Sequence, residues 1–184
     1  MTTEKAVILV NERDESLGTM EKMEAHRKGV LHRAFSVFIF NSRGEMLLQQ
    51  RAQGKYHSGG LWTNACCSHP VPGEPVAEAA ARRLKEEMGF ITPLEKLFDF
   101  IYRSEMENGL TEHEFDHVFA GFYEDEIRPD RNEVKDYCYK SMDSIRQSLQ
   151  THPQNFTAWF HIAFPRIEQE FKHKLSRMGA NERE

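Results

Sequence analysis

The stretch Gly73-Glu74-Pro75-Val76-Ala77-Glu78-Ala79-Ala80-Ala81-Arg82-Arg83-Leu84-Lys85-Glu86-Glu87-Met88-Gly89-Phe90 decides how the rest of the chain is read. Val76, Ala80, Leu84 and Met88 share one face of a helix, Pro75 stands near its start, and Gly89 lies just past its end. Before it, Gly59 to Gly73 is rich in Gly, Pro, Cys and Trp, too irregular for a helix and too long for a simple turn; long ordered loops tend to carry function. Further upstream, Ala6 to Val10 predicts a strand, and Thr19 to Arg27 a short polar helix stopped near Gly29. Leu31 to Phe40 and Met46 to Gln50, joined by the turn Asn41-Ser42-Arg43-Gly44, predict a hairpin. Downstream, Leu97 to Tyr102, Glu112 to Tyr123 and Val134 to Tyr139 predict strands. Ser144 to Leu149 predicts a short helix, and Ile162, Ile167, Phe171 and Leu175 a longer one, ahead of a polar end at Gly179 to Glu184 that is expected to fray. The sum is a mixed α/β domain.

The chain has 184 residues, of which 39% are hydrophobic and 13 are Phe, enough for one core and too few for several. No internal repeat or linker divides it, so residues 1–184 are expected to form one domain. The net charge of −5 provides no broad cationic field for a nucleic acid or an anionic membrane, so any anionic ligand has to be held by a local cluster. No apolar run approaches the roughly 18 residues that span a bilayer. Glu4 and Lys5 ahead of a short apolar run do not make a secretory signal, and three cysteines suit free thiols in a reducing compartment; a cytoplasmic location is expected.

Four pairs carry the candidate chemistry. Arg82 and Glu86, like Arg83 and Glu87, lie four apart, which for an arbitrary helix describes a solvated face with weak ion pairs. Cys67 and His69 lie two apart in the irregular loop, and Glu112 and Glu114 two apart on a predicted strand, so each pair can address one cavity. Glutamate is depleted in strands, and two like charges on one face repel unless a cation or a proton settles them. Cys66 and Cys138 read as small packed hydrophobes; Cys67 can do the same, or, beside a metal or a cation, titrate near neutral pH as an acid or base.

Glu74, Arg82, Leu84, Glu86, Glu87, Gly89 and Phe90 fall at the spacing of the Nudix box, which holds a divalent metal against a diphosphate. The stretch resembles that box with two departures: Ser68 replaces the leading glycine, and Arg83 replaces a glutamate of the metal cluster in pyrophosphate-cleaving members. A guanidinium there removes a metal ligand or base and adds a fork for phosphate oxygens, which favours binding a diphosphate over cutting it. Together with Trp62-Thr63-Asn64-Ala65-Cys66-Cys67-Ser68-His69-Pro70 and Glu112-His113-Glu114, the sequence from Glu21 to Trp159 resembles the type 1 isopentenyl-diphosphate isomerases.

The resemblance implies a Nudix-like α/β (α+β) fold, a mixed sheet sandwiched by helices, and conversion of isopentenyl diphosphate to dimethylallyl diphosphate in isoprenoid biosynthesis. It implies Cys67 and Glu114 as the acid and base pair, in an order left open, Tyr102 as a hydrogen-bonding group near the acid, and Trp159 as the ring facing a cationic intermediate. The implied metal ligands are His26, His32, His69, Glu112 and Glu114, for Mn or Mg more than Zn, with Glu87 for a second, Mg-type ion bridging to the diphosphate. Lys22, Arg51, Lys55 and Arg83 are the implied diphosphate clasp. His57, His113, His117, His152, His161 and His173 have no place in the motif and read as surface or structural. The expected partner is a small-molecule diphosphate, with no nucleic acid or membrane, and the chain is expected to be a monomer or weak dimer. The other readings are a Nudix hydrolase of a nucleoside diphosphate derivative and a non-catalytic diphosphate-binding module.

Overall fold

A computed structural model describes the backbone of residues 6–181 and the side chains of residues 6–173. Glu4, Lys5, residues 182–184 and the Leu175 side chain, on which some expectations rest, lie outside the described residues. β1 (Ala6–Val10) pairs antiparallel with β2 (Ser16–Glu21), from Ala6 opposite Glu21 to Val10 opposite Ser16. The Glu21 carboxylate then accepts the Glu24 N–H at 2.8 Å and caps α1 (Lys22–Lys28), which ends at Gly29. Thr19 to Glu21, expected as helix, are therefore strand: they pair with β1, and the helix begins only after the capping carboxylate.

β3 (His32–Phe40) and β4 (Met46–Arg51) come next, followed by β5 (Trp62–Thr63), β6 (Cys66–Ser68), α2 (Val76–Met88), β7 (Glu95–Glu105), β8 (Thr111–Phe122), β9 (Val134–Lys140), α3 (Met142–Thr151) and α4 (Ala158–Asn181). The expected hairpin closes only at its turn, where Phe40 faces Met46. Beyond that rung its strands separate. β3, buried along nearly its whole length, runs parallel to β8 from His32 opposite Glu114 to Phe40 opposite Phe122, while β4 pairs with β9 and β5. On its other side β3 meets β1 at His32 and β6 at Phe35 to Val37. The irregular segment from Gly59 to Gly73 thus contains two short strands of a nine-stranded mixed sheet.

Alternation along β3 and β8 sends side chains to two layers. Phe35, Val37, Ile39 and Phe119 pack with Leu47 and the α2 stripe of Ala79, Ala80, Leu84 and Met88. Phe38, Phe40 and Val118 pack with Met46, Leu48, Ile145 of α3, and Phe160, Phe164 and Ile167 of α4. Each such aliphatic or aromatic side chain contributes about 1.5–3 kcal/mol on burial. The sheet is sandwiched by helices, as expected. The face that is oily at Phe38 and Val118 turns polar toward His32, Ser36, Glu112, Glu114 and Asp116, all buried.

Gly89 ends α2 with φ of +80°, and a Cβ there would lie 2.2 Å from the Arg128 carbonyl oxygen, so both its conformation and its contact exclude a side chain. α4 starts at Ala158, which puts Trp159 in its first turn, and it stays helical past Pro165 and Gly179 to Asn181, beyond the point where fraying was expected. No helix among the described residues is long and apolar enough to cross a membrane.

Candidate active site

β8 alternation puts Glu112 and Glu114 on one face, and the register places Tyr102 of β7 and His32 of β3 on the same rung as Glu114. α1 adds His26, and the chain leaving β6 adds His69. The ligand atoms of His26, His32, His69, Glu112 and Glu114 all lie within 4.8 Å of one another. Nδ1 of His26 stands 2.6 Å from the Lys22 carbonyl and Nδ1 of His32 2.8 Å from that of Val30, so each carries its hydrogen there and turns an Nε2 lone pair inward. His69 Nε2 lies 3.3 Å from His32 Nε2 and 3.2 Å from Glu114 Oε1.

Burial pushes His32 down to about 4 and holds His69 well below its ordinary value, keeping both imidazoles neutral. At His26 burial is outweighed by Glu112, and its pKa rises. Burial and the neighbouring Glu112 charge raise Glu114; at Glu112 burial is outweighed by its neighbours Glu114, His26 and His57, and its pKa falls. His26 Nε2 and Glu112 Oε2 are buried without a hydrogen-bond partner. Inward lone pairs, neutral imidazoles and an unsatisfied carboxylate oxygen fit a divalent cation.

Cys67 lies opposite Ser36 on the β3–β6 rungs. Its sulfur accepts the Trp159 indole N–H at 3.0 Å, donates to Asn64 Oδ1 at 3.1 Å, and sits 3.5 Å from the Ser36 hydroxyl, which donates to Asp116 Oδ2 at 2.7 Å. Burial, reinforced by Asp116, pushes the thiol up to about 12. The charged group that acts most on the sulfur is the Asp116 carboxylate.

Two cavities meet here. The inner one is lined by Cys67, Glu114, Glu112, Tyr102, Trp159, Ser36, Tyr56 and His57. The outer one is lined by Lys22, Arg51, Lys55 and Arg83 with Glu87 and Glu133. Arg51, Tyr56, Cys67, Ser68 and His69 belong to both walls. The four cations expected to clasp a diphosphate therefore gather, and each is held from the side. Lys22 stands 4.5 Å above the Tyr56 ring, Arg51 5.3 Å from that of Trp159, and Lys55 pairs with Glu133. Arg83 pairs with Glu87 at 2.9 Å and Glu86 at 2.6 Å.

Glu74 does not reach this cavity. It grips the Arg82 guanidinium through two bonds of 2.7 and 2.9 Å and accepts the Val71 N–H, fastening the loop before α2 to the helix. The Arg82 bonds hold its carboxyl below the ordinary value of 4.5. A depressed carboxyl stabilises the fold above its unfolded pKa and loses that effect as pH falls through the folded one. Glu74→Gln is therefore expected to cost about 1–2 kcal/mol at pH 7, with solvent on one side limiting the loss, and less at pH 3. Urea unfolding across that range checks this; parallel curves for variant and parent would refute it.

Residues given no site role by the sequence also line the site. His57, expected at the surface or as a structural residue, is fully buried and bonded to Glu112. Tyr56 joins it, and Asp116 stands behind the wall, accepting the Ser36 hydroxyl; only its placement two residues beyond Glu114 signalled its face. Of the other histidines, His113 bonds the Gly29 carbonyl and His117 pairs with Asp14, away from both cavities.

The sequence matches the NUDIX domain family over residues 30–160. It is 54% identical to an isopentenyl-diphosphate Delta-isomerase of Pectobacterium atrosepticum, over 93% of this chain and 97% of that one. The chain belongs to the isopentenyl-diphosphate Delta-isomerase family. A second member, from Photobacterium profundum, is 47% identical over 96% of this chain and 99% of its own. Among solved structures, a Deinococcus radiodurans protein shares the fold with a TM-score of 0.68 at 20% identity, covering 80% of this chain and 90% of its own. A MutT NUDIX hydrolase from Burkholderia pseudomallei does so with 0.59 at 21%, covering 73% and 96%. The isomerase family thus sits on a scaffold shared with hydrolases, and Arg83 stands on that scaffold where the resemblance places a hydrolase glutamate.

Proposed function

We infer that the chain interconverts isopentenyl diphosphate and dimethylallyl diphosphate by proton transfer. The observation that carries this is the joining of two cavities, one with Cys67 and Glu114 in its wall and the other lined by four cations. The diphosphate binds in the outer cavity against Lys22, Arg51, Lys55 and Arg83, and the five-carbon tail enters the inner one. One proton is added to the terminal CH2 carbon, leaving a tertiary cation, and another is removed from C2, which moves the double bond. Cys67 and Glu114 supply these two transfers, one giving a proton and the other accepting one, and burial holds the Cys67 thiol up at about 12. The Trp159 ring faces the cation, worth about 1–2 kcal/mol when desolvated, and Tyr102 borders Glu114. The buried walls keep out water that would capture the cation.

A divalent ion held by His26, His32, His69, Glu112 and Glu114, manganese or magnesium before zinc, would tune the acidity of Glu114, and a magnesium ion at Glu87 would offset diphosphate charge. The same reading takes residues 1–184 as one functional unit, a monomer or weak dimer in the cytoplasm, supported by the three free cysteines.

Proton NMR of the purified protein with isopentenyl diphosphate, magnesium and manganese in heavy water tests the reading. Dimethylallyl diphosphate carrying solvent deuterium, without phosphate release, is expected; a strong chelator should stop its formation and added metal restore it. Phosphate without isomer would make the chain a hydrolase, and unchanged substrate a binding module. Full activity of metal-free protein would remove the metal roles.

A further inference from the structure

His57 lies on the loop between β4 and β5, a segment with no helical or strand period. Backbone bonds from Arg51 N–H to Leu61 O at 2.8 Å and from Gly60 N–H to Arg51 O at 2.9 Å close the loop at its base. The Ser58 N–H donates to Glu107 Oε1 at 2.8 Å, which ties the loop to the chain between β7 and β8. Ser58 has φ of +54°, a left-handed conformation that a non-glycine residue adopts at a cost on the order of 1 kcal/mol. The strain falls at the residue next to a fully buried imidazole in the wall of the inner cavity.

That imidazole has two partners. Its Nδ1 lies 3.0 Å from the Ser58 hydroxyl, and its Nε2 bonds Oε1 of Glu112. His26 Nε2 approaches the same oxygen at 3.4 Å. Oε2 of Glu112 has no hydrogen-bond partner and is buried. One carboxylate oxygen is thus held from the loop, and the other is left for whatever occupies the cluster.

We propose that His57 is a positioning residue: its Nε2–H holds Oε1 of Glu112 so that Oε2 is the oxygen presented to a divalent ion. The proposal rests on reading the five clustered donors as a divalent-ion site. Hydrogen bonds to a ligating carboxylate fix its orientation before the ion arrives, and loss of such a partner typically weakens metal binding by about 10- to 100-fold. Through Ser58 and Glu107 the loop holds the imidazole, so the donor geometry depends on a segment that contributes no ligand of its own.

The test uses the full chain, stripped of metal, with manganese as the probe in calorimetric titration and circular dichroism to confirm folding. His57→Ala removes the ring and the donor, His57→Phe keeps a ring without the donor, and His57→Gln restores an N–H near the Nε2 position. Alanine and phenylalanine variants are expected to bind manganese about 10- to 100-fold more weakly than the parent, and the glutamine variant to recover most of that loss. If the alanine variant fails to fold, the phenylalanine and glutamine pair makes the same comparison. Parent-like affinity in folded His57→Phe would overturn the proposal, as would a folded glutamine variant no better than phenylalanine. A parent protein that takes up no manganese would remove the metal-site reading and this proposal with it, which is distinguishable from a parent that binds and variants that match it.

Discussion

Cys67→Ala is expected to lower isomerisation by about 100- to 10,000-fold in a protein that remains folded and still binds its diphosphate substrate. The thiol is a built group rather than a packed hydrophobe. Trp159 donates to its sulfur at 3.0 Å, Asn64 accepts its proton at 3.1 Å, and Ser36 flanks it at 3.5 Å. With its pKa pushed up to about 12, it enters a catalytic cycle at pH 7 with a proton to give and takes one back only after that transfer. Loss of the sulfur leaves the indole N–H without its acceptor, for a stability cost of about 1–3 kcal/mol. Unfolding measurements separate that cost from turnover, and normal turnover in the folded variant would end the assignment of Cys67 to proton transfer.

Glu114→Gln is expected to bring a loss of similar size, with a different signature. The amide has nearly the same shape, so packing against Tyr102 and His32 is kept while a titratable proton and a charged oxygen are removed. Glu114 belongs both to the Cys67 cavity and to the five-donor cluster. Weaker manganese binding should therefore accompany slow turnover in Glu114→Gln, whereas Cys67→Ala should bind manganese as the parent does. Calorimetric titration of the two metal-free variants makes the comparison. A glutamine variant with both parental affinity and parental turnover would place Glu114 outside the chemistry.

What was legible in the sequence follows from the range over which each signal acts. The α2 stripe and its Gly89 stop are local, and the helix has the expected boundaries. Glu112 and Glu114 share a face because strand alternation is local too. Partner choice is not local: the turn at Asn41 to Gly44 forms, yet β3 pairs along its length with β8 because a strand buried on both faces takes neighbours from wherever the core supplies them. β5 and β6 are too short to show alternation, so a rough loop was the only available reading of them. The Cys67 thiol is pushed up by burial first and then by Asp116, far away in the chain, and His57 is buried by a loop anchored to Glu107; neither leaves a periodic trace. The family resemblance implied His26, His32, His69, Glu112 and Glu114 as a set, but not the histidine that bonds Glu112.

The parallel alignment of His32 with Glu114 joins residues roughly eighty positions apart, and His26 and His69 come from two further segments. Such contacts form only after a large loss of chain entropy, so they belong to the late part of folding. In the unfolded chain the donors fall into separated groups, His26 with His32, His69, and Glu112 with Glu114, so a cation would meet at most two of the five at once. The order of assembly is the reverse of that in a small zinc domain, whose metal nucleates its structure. Here the hydrophobic layers on either side of β3 and β8 build the receptacle, and an ion held there would arrive as the tenant of a finished fold rather than its organiser.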